Sequence, residues 1–176
     1  MAEECKKEII EQVIQKPIAP SSKVEYSPLK ECNLNEIAEL NRLFPHWKRA
    51  SVLEKIKSTC AGKDYRFAAK KNGQIVAHVK VVRNKSIHSH TAFMTSLFVL
   101  VEERRQGIGL NLMKYAIEHL SEKIKFITFA VDKREKSTIN LCKKLGFKRY
   151  GELKHASIVN GKYVDNYLMV KQLQKL

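Results

Sequence analysis

The sequence predicts a mixed α/β fold in which hairpins and helices alternate along one sheet. Three observations carry that prediction. Two Asn-Gly pairs, Asn72-Gly73 and Asn160-Gly161, each join runs of alternating apolar residues, which marks tight hairpins because both residues tolerate positive φ. Ile108, Leu112, Ala116, Ile117 and Leu120 recur at helical spacing directly after a β-branched run. The compact apolar run Phe126 to Val131 is followed by a short helical pattern, Ser137 to Leu145, which Gly146 closes as a C′ glycine.

Taken in order, residues 1–23 carry Ile9, Ile10, Val13 and Ile14 ahead of Pro17 and Pro20, so an N-terminal helix and linker are expected before a single domain over 24–176. Val24 to Leu29 reads as a short strand. Asn33 caps a helix bearing Ile37, Leu40 and Leu43 that Pro45 stops, and Val52, Leu53 and Ile56 line a second helix over Ala50 to Ser58. Strands follow at Tyr65 to Lys70 and Gln74 to Val82, then at Thr91 to Val101 after a loop rich in His and Lys, Asn84 to His90. The central helix, the Phe126 strand, the 137–145 helix and a last hairpin, Phe147 to Ile158 with Tyr163 to Val170, complete the order β, α, α, β, β, β, α, β, α, β, β.

The chain has 176 residues, 44% hydrophobic and 29% charged, and its seven Gly and four Pro exclude a fibrous or low-complexity protein. Its longest apolar runs reach about half of the roughly 20 residues that a membrane-spanning helix requires, so no membrane is expected as a partner. Acidic residues at positions 3 and 4 interrupt the N-terminus, which does not read as a secretory signal, and cytoplasmic residence is the expectation. Cys5, Cys32, Cys60 and Cys142 lack metal-ligand spacing with each other or with histidine, so no metal is expected. The formal charge of +15 favours a polyanionic partner. That partner is a nucleic acid or a phosphate-rich cofactor, but a solvated Lys-rich surface carries most of the weight, since the chain lacks a block of five consecutive cations that would mark a nucleic-acid tail.

Arg104-Arg-Gln-Gly-Ile-Gly109 lies between a strand and a helix, where the first helical turn has backbone N–H groups with no intrahelical partner. Glycines 107 and 109 let main chain approach a bulky anion, and the helix dipole with Arg104 and Arg105 adds positive charge. A Walker A loop needs Gly-Lys-Ser/Thr, whereas Gly109 precedes Leu110 and Asn111. A dinucleotide fingerprint needs a third glycine, where Leu112 stands.

The remaining pattern, Arg-x-x-Gly-x-Gly, resembles the pyrophosphate-binding loop of the GNAT superfamily of acetyl-CoA-dependent N-acetyltransferases. Ser137 to Phe147, with its Leu-Gly-Phe ending, resembles the superfamily's following helix, and Val159 to Met169 resembles its last hairpin, so the likeness spans roughly residues 24–172. It implies a mixed, mostly antiparallel sheet flanked by helices, with a splayed strand pair that binds acetyl-CoA as co-substrate. It further implies that Leu97, Phe98 and Val99 pair with the pantetheine arm and that Arg104, Arg105, Gln106, Gly107, Ile108 and Gly109 wrap the pyrophosphate. Asn140 and Lys143 would add contacts from the next helix. The implied activity is transfer of an acetyl group to a primary amine of a small molecule, an amino acid or related amine, by direct attack. A protein or peptide acceptor, a non-catalytic acyl-CoA-binding module and a homodimer are compatible with the same pattern.

Such a reaction needs a neutral amine, a polarised thioester carbonyl and a proton for the departing thiolate. Backbone N–H groups near Val99 would polarise the carbonyl. The strand Thr91 to Val101 lacks a carboxylate, which leaves His78, His88, His90, Asp132 and Glu135 as candidate bases, with Asp132 the first choice because it follows a strand bordering the cleft. Cys142 stands where many members carry a proton-donating tyrosine, Glu135 where an asparagine is common, and Ala77-His78 where a glycine is frequent. Tyr163 and Asp165, on the last hairpin, are the candidate acceptor contacts.

Overall fold

The structure is a computed structural model and describes residues 23–29 and 64–173. The N-terminal helix expected over 1–23 and the helices expected at 33–45 and 50–58 lie outside the described residues. Among the described residues seven strands form one sheet: β1 Glu25–Pro28, β2 Asp64–Lys71, β3 Gln74–Arg83, β4 Thr91–Val99, β5 Phe126–Asp132, β6 Lys148–Val159 and β7 Lys162–Gln172. Helix α1, Ile108–Glu118, follows β4, and α2, Lys136–Lys144, follows β5. The spatial order is β1-β2-β3-β4-β5-β7-β6, and β4–β5 is the parallel pair in an otherwise antiparallel sheet.

Both Asn-Gly pairs close two-residue hairpins. Asn72 and Gly73 have φ of 53° and 77°, and Asn160 and Gly161 have 50° and 73°, the doubly left-handed turn whose twist matches the flanking strands. The expected strand to residue 101 ends at Val99, because Val101–Glu103 winds into a 3-10 turn.

Register builds an apolar face across the sheet through the pairs Phe67↔Val79, Val81↔Met94, Met94↔Phe129 and Phe129↔Met169, stepping two residues along β3 from Val79 to Val81. Leu112, Met113 and Ala116 of α1, spaced three and four apart, join that face in one buried cluster. Burying Leu112 or Met113 stabilises by about 1.5–3 kcal/mol and the Ala116 methyl by roughly 0.8 kcal/mol, which fixes the helix on the sheet.

Two irregularities interrupt the sheet where α1 begins. The β4–β5 ladder runs from Thr91↔Phe126 to Met94↔Phe129 and stops, while β5 continues on β7 as far as Asp132↔Asn166, so the parallel strands part and leave a wedge. On its other side β4 shifts register against β3 between Lys80↔Thr95 and His78↔Phe98, with Ser96 at φ 55°. That is a bulge, which bends its strand.

Candidate functional site

The wedge leads into a loop held at both ends. Leu100 donates its N–H to the Val76 carbonyl at 2.9 Å, and Lys71 Nζ reaches both carboxylate oxygens of buried Glu103 at 3.0 Å, tying the 3-10 turn to the β2–β3 hairpin. Arg105 at φ 64° and Gly107 at φ 79° then reverse the chain into α1. Gly107 is the N-cap, and among the described residues no side chain caps the helix. The Asn111 N–H donates to Gly107 O at 3.0 Å as the first rung of the ladder. The amides of Ile108, Gly109 and Leu110 precede that rung and point off the helix end, which with the dipole makes an anion cradle.

The two glycines serve different needs. At Gly107 a Cβ would meet nothing closer than Asn111 Nδ2 at 4.0 Å, so the left-handed φ is what requires glycine. At Gly109 a Cβ would lie 3.3 Å from Val99 Cγ2 and 3.4 Å from Leu141 Cδ1, so there glycine lets α1 close on β4 and α2.

Between the β4 end, the loop and α2 lies a cleft of about 810 Å³. Among the residues expected from the sequence, Leu97, Phe98, Val99, Arg104, Arg105, Gly107, Ile108, Gly109 and Asn140 line it. Arg104 Nε also donates to the Val99 carbonyl at 3.1 Å, fixing the guanidinium stem at the cleft edge. Gln106 is turned away, its side-chain amide donating to Glu102 O at 3.3 Å. Lys143 is exposed and off the cleft, while Lys144, about 100° further round the helix, lines it. Ser137, Thr138 and Leu141 line it as well, and spacing of three and four from Asn140 is the signal that marks Ser137 and Lys144. Glu103 was not expected there, and its tie to Lys71, 32 positions away, leaves no local signature in the sequence.

The expected chemical groups are more dispersed. Asp132 is gripped by Arg134, whose Nε lies 3.0 and 3.1 Å from its two oxygens and whose Nη2 lies at 2.6 Å. Those hydrogen bonds, with one from the Arg134 N–H, hold the carboxyl below its usual range and argue against a general base. Cys142 is wholly buried beside Ile139 on the core side of α2 and does not line the cleft. Burial pushes its thiol up to about 11. A donor that weak opposes proton transfer to a thiolate whose conjugate acid has an ordinary thiol pKa of roughly 8.5. Both assignments from the sequence are therefore disfavoured on physical grounds.

His88 and His90 precede β4 and sit at the end opposite the cleft, roughly 20 Å away at about 3.3 Å per strand residue. His78 is completely buried. Glu135, the N-cap of α2, is the candidate base that borders the cleft.

Tyr163 is exposed and packs edge-on against His155, with centroids 5.7 Å apart. Asp165 is committed elsewhere: it binds Lys133 Nζ and accepts the His155 N–H at 3.0 Å, pinning the β6 bulge between Leu153 and Ser157. The Lys133 hydrogen bond, followed by that amide, lowers its carboxyl to about 2. Among the described residues no cluster of three or more His, Cys, Asp or Glu could hold a metal ion, and no helix is long and apolar enough to cross a membrane.

Solved structures with this architecture are numerous. An N-acetyltransferase from Staphylococcus aureus Mu50 is 14% identical with a TM-score of 0.78, covering 87% of this chain and 100% of that one. The protein yncA from Salmonella typhimurium, solved with its cofactor acetyl-CoA, is 14% identical with a TM-score of 0.77 over 88% and 96% of the two chains. A ribosomal-protein-alanine N-acetyltransferase from Brucella melitensis is 17% identical with a TM-score of 0.74 over 86% and 99%. At these identities the likeness is one of fold. No curated protein sequence matches the chain significantly. The family model for the acetyltransferase (GNAT) family matches residues 34–147, well over half of the sequence, and this chain belongs to that family.

Proposed function

We propose that this acetyltransferase moves the acetyl group of acetyl-CoA onto a primary amine of a small molecule, an amino acid or related amine, by direct attack. The observation that carries this reading is the uncapped N-terminus of α1 opening onto the cleft beside the parted end of β4. Acetyl-CoA brings an activated thioester and a diphosphate. The residues fit it: the amides of Ile108, Gly109 and Leu110 with Arg104 and Arg105 would hold the diphosphate, with Gly107 supplying the left-handed turn into the helix and Gly109 the close approach of that helix to β4 and α2. The main chain of Leu97 to Val99 would align the pantetheine arm as an added strand and aim N–H groups at the acyl carbonyl.

The chain's remaining task is proton handling. An alkyl ammonium has a pKa near 10.4, so the amine must lose a proton before attack, and Glu135 is the base candidate bordering the cleft. With Cys142 buried, solvent is the proposed proton source for the leaving thiolate. A net charge of +15 repels polyamines, which supports an acceptor bearing a carboxylate, such as an amino acid. A peptide N-terminus is the second reading, favoured by the likeness in fold to the ribosomal-protein-alanine N-acetyltransferase of Brucella melitensis.

The test is acetyl-CoA consumption over a panel of amino acids, polyamines, aminoglycosides and peptides. Turnover concentrated in amino acids is the expected result, and turnover confined to peptides selects the second reading. Acetyl-CoA binding without turnover on any amine turns the assignment to a non-catalytic acyl-CoA module.

A further inference from the structure

Four exposed residues, Arg104 to Gly107, lie between the 3-10 turn and α1, and two of them, Arg105 and Gly107, take a left-handed φ. A buried residue stands at each end of this stretch, Glu103 at 5% exposure before it and Ile108 at 3% after it. A non-glycine residue such as Arg105 keeps a left-handed φ only where its surroundings impose it. So short a loop takes its course from its two ends, and with that course goes the direction in which Arg104, Arg105 and the first amides of α1 face the cleft.

The two ends are held by different forces. Ile108 is held by packing in the core beneath α1. Glu103 is held by charge: Lys71 Nζ lies 3.0 Å from each of its carboxylate oxygens, and the side chains of Lys71 and Glu103 are only 13% and 6% exposed. Lys71 pairs with Gln74 beside the Asn72-Gly73 turn, so the anchor is the closed end of the β2–β3 hairpin. Lys71 does not line the cleft, whereas Glu103 does, so Lys71 acts on the site through Glu103. The main chain brings the acid to its partner, since Leu100 donates to the Val76 carbonyl at 2.9 Å and Glu103 donates to the Leu100 carbonyl at 3.0 Å. A buried ion pair adds little net stability over apolar residues of the same volume, because desolvation offsets the attraction. What it adds is geometry: charge-assisted hydrogen bonds to both oxygens of a carboxylate hold a turn in one place, whereas an apolar contact lets it slide.

We propose that Lys71 is a positioning residue: its ion pair with Glu103 pins the start of the cofactor loop to the β2–β3 hairpin and so presets Arg104, Arg105 and the α1 amides for a diphosphate. The proposal rests on acetyl-CoA occupying the cleft. It also accounts for an acid lining a cleft that receives an anion, because Lys71 neutralises the carboxylate that would otherwise oppose the phosphates.

Calorimetry with CoA and thermal unfolding, which need no acceptor, separate position from stability. In the double variant Lys71→Met with Glu103→Leu, the apolar pair is expected to keep Tm within about 3 °C of wild type. Its CoA affinity is expected to fall by about tenfold, the cost of ordering a loop that is no longer preset. Lys71→Arg, which keeps a forked donor for the carboxylate, is expected to stay within about threefold of wild type. CoA affinity within about twofold of wild type in the apolar pair overturns the proposal and leaves acetyl-CoA use standing, and so does an equal loss in Lys71→Arg. If the apolar pair does not fold, the wild type decides. Nitrogen-15 NMR of its lysine ammonium groups is expected to show Lys71 protected from exchange without ligand and unmoved when CoA is added. A Lys71 signal that is protected only with CoA bound makes it a phosphate ligand and overturns the proposal. Failure of the wild type to bind CoA overturns this proposal and the acetyl-CoA reading together.

Discussion

The two rims of the wedge in this sheet are made of different material. On the β4–α1 rim the site is main chain: a bulged strand end, two glycines with distinct steric duties and a helix N-terminus whose first amides precede the ladder. On the β5–β7 rim the notable groups are side chains, and they are committed to one another. Asp132 is held by Arg134, while Asp165 and Glu152 share Lys133 and Lys154. The difference teaches that a backbone site cannot be spent on a neighbour, whereas a carboxylate named from sequence becomes available only after its local cations are counted.

Substitutions that add to the first rim should have the largest effects. Gly109→Glu adds a Cβ 3.3 Å from Val99 Cγ2, which pushes α1 off β4, and a carboxylate whose repulsion about 4 Å from a phosphate is about 4 kcal/mol at an effective dielectric near 20, so acetyl-CoA affinity by calorimetry should fall by roughly a thousandfold or more. An affinity within tenfold of wild type would mean that the diphosphate binds elsewhere. Next comes Glu135→Gln, which should lower kcat by about a hundredfold with acetyl-CoA affinity unchanged, the loss that fits a general base. An unaltered kcat returns deprotonation to solvent.

The second rim should matter less to chemistry than its residue types suggest. Asp132→Asn should keep kcat within about threefold, since its carboxylate is already neutralised by Arg134, and a loss above a hundredfold would reinstate it as the base. Cys142→Ala should leave kcat within about twofold and cost about 1 kcal/mol of stability, read from denaturant midpoints, for the small void it leaves. A large kcat defect with stability intact would restore the thiol as proton donor.

The smallest effect should be a pH dependence at the β6 bulge. Asp165 has a folded pKa of about 2, depressed from 3.8, so its contribution is present above the unfolded value and is lost as pH falls through the folded one. The Tm gap between wild type and Asp165→Asn should therefore be full at about pH 6 and should shrink between roughly pH 4 and pH 2. A gap that stays constant across that window would show that the bulge does not depend on the ionised carboxylate.

Much of the fold was legible because its signals are local. Asn72-Gly73 and Asn160-Gly161 announce doubly positive φ, and the periodicity of α1 and the alternation of β5 survive any tertiary context. The cofactor loop was legible for the same reason, since Gly107 and Gly109 are forced by backbone and close approach. The Ser96 bulge was not, because serine carries no mark of a left-handed φ and the residue opposite it, Val79, lies on another strand. Nor was the choice between Lys143 and Lys144, which turns on about 100° of helix rotation. The commitments of Asp165 and Glu103 depend on lysines 32 positions away, beyond any motif.

The central claim, that acetyl-CoA is held by main chain on the β4–α1 rim, is tested most directly by hydrogen–deuterium exchange with and without acetyl-CoA. Slowed exchange at the amides of Leu97 to Val99 and Ile108 to Leu110, with the β6–β7 hairpin unchanged, is the predicted result. Slowed exchange in the hairpin, with the amides of 97–99 and 108–110 unaffected, would contradict it.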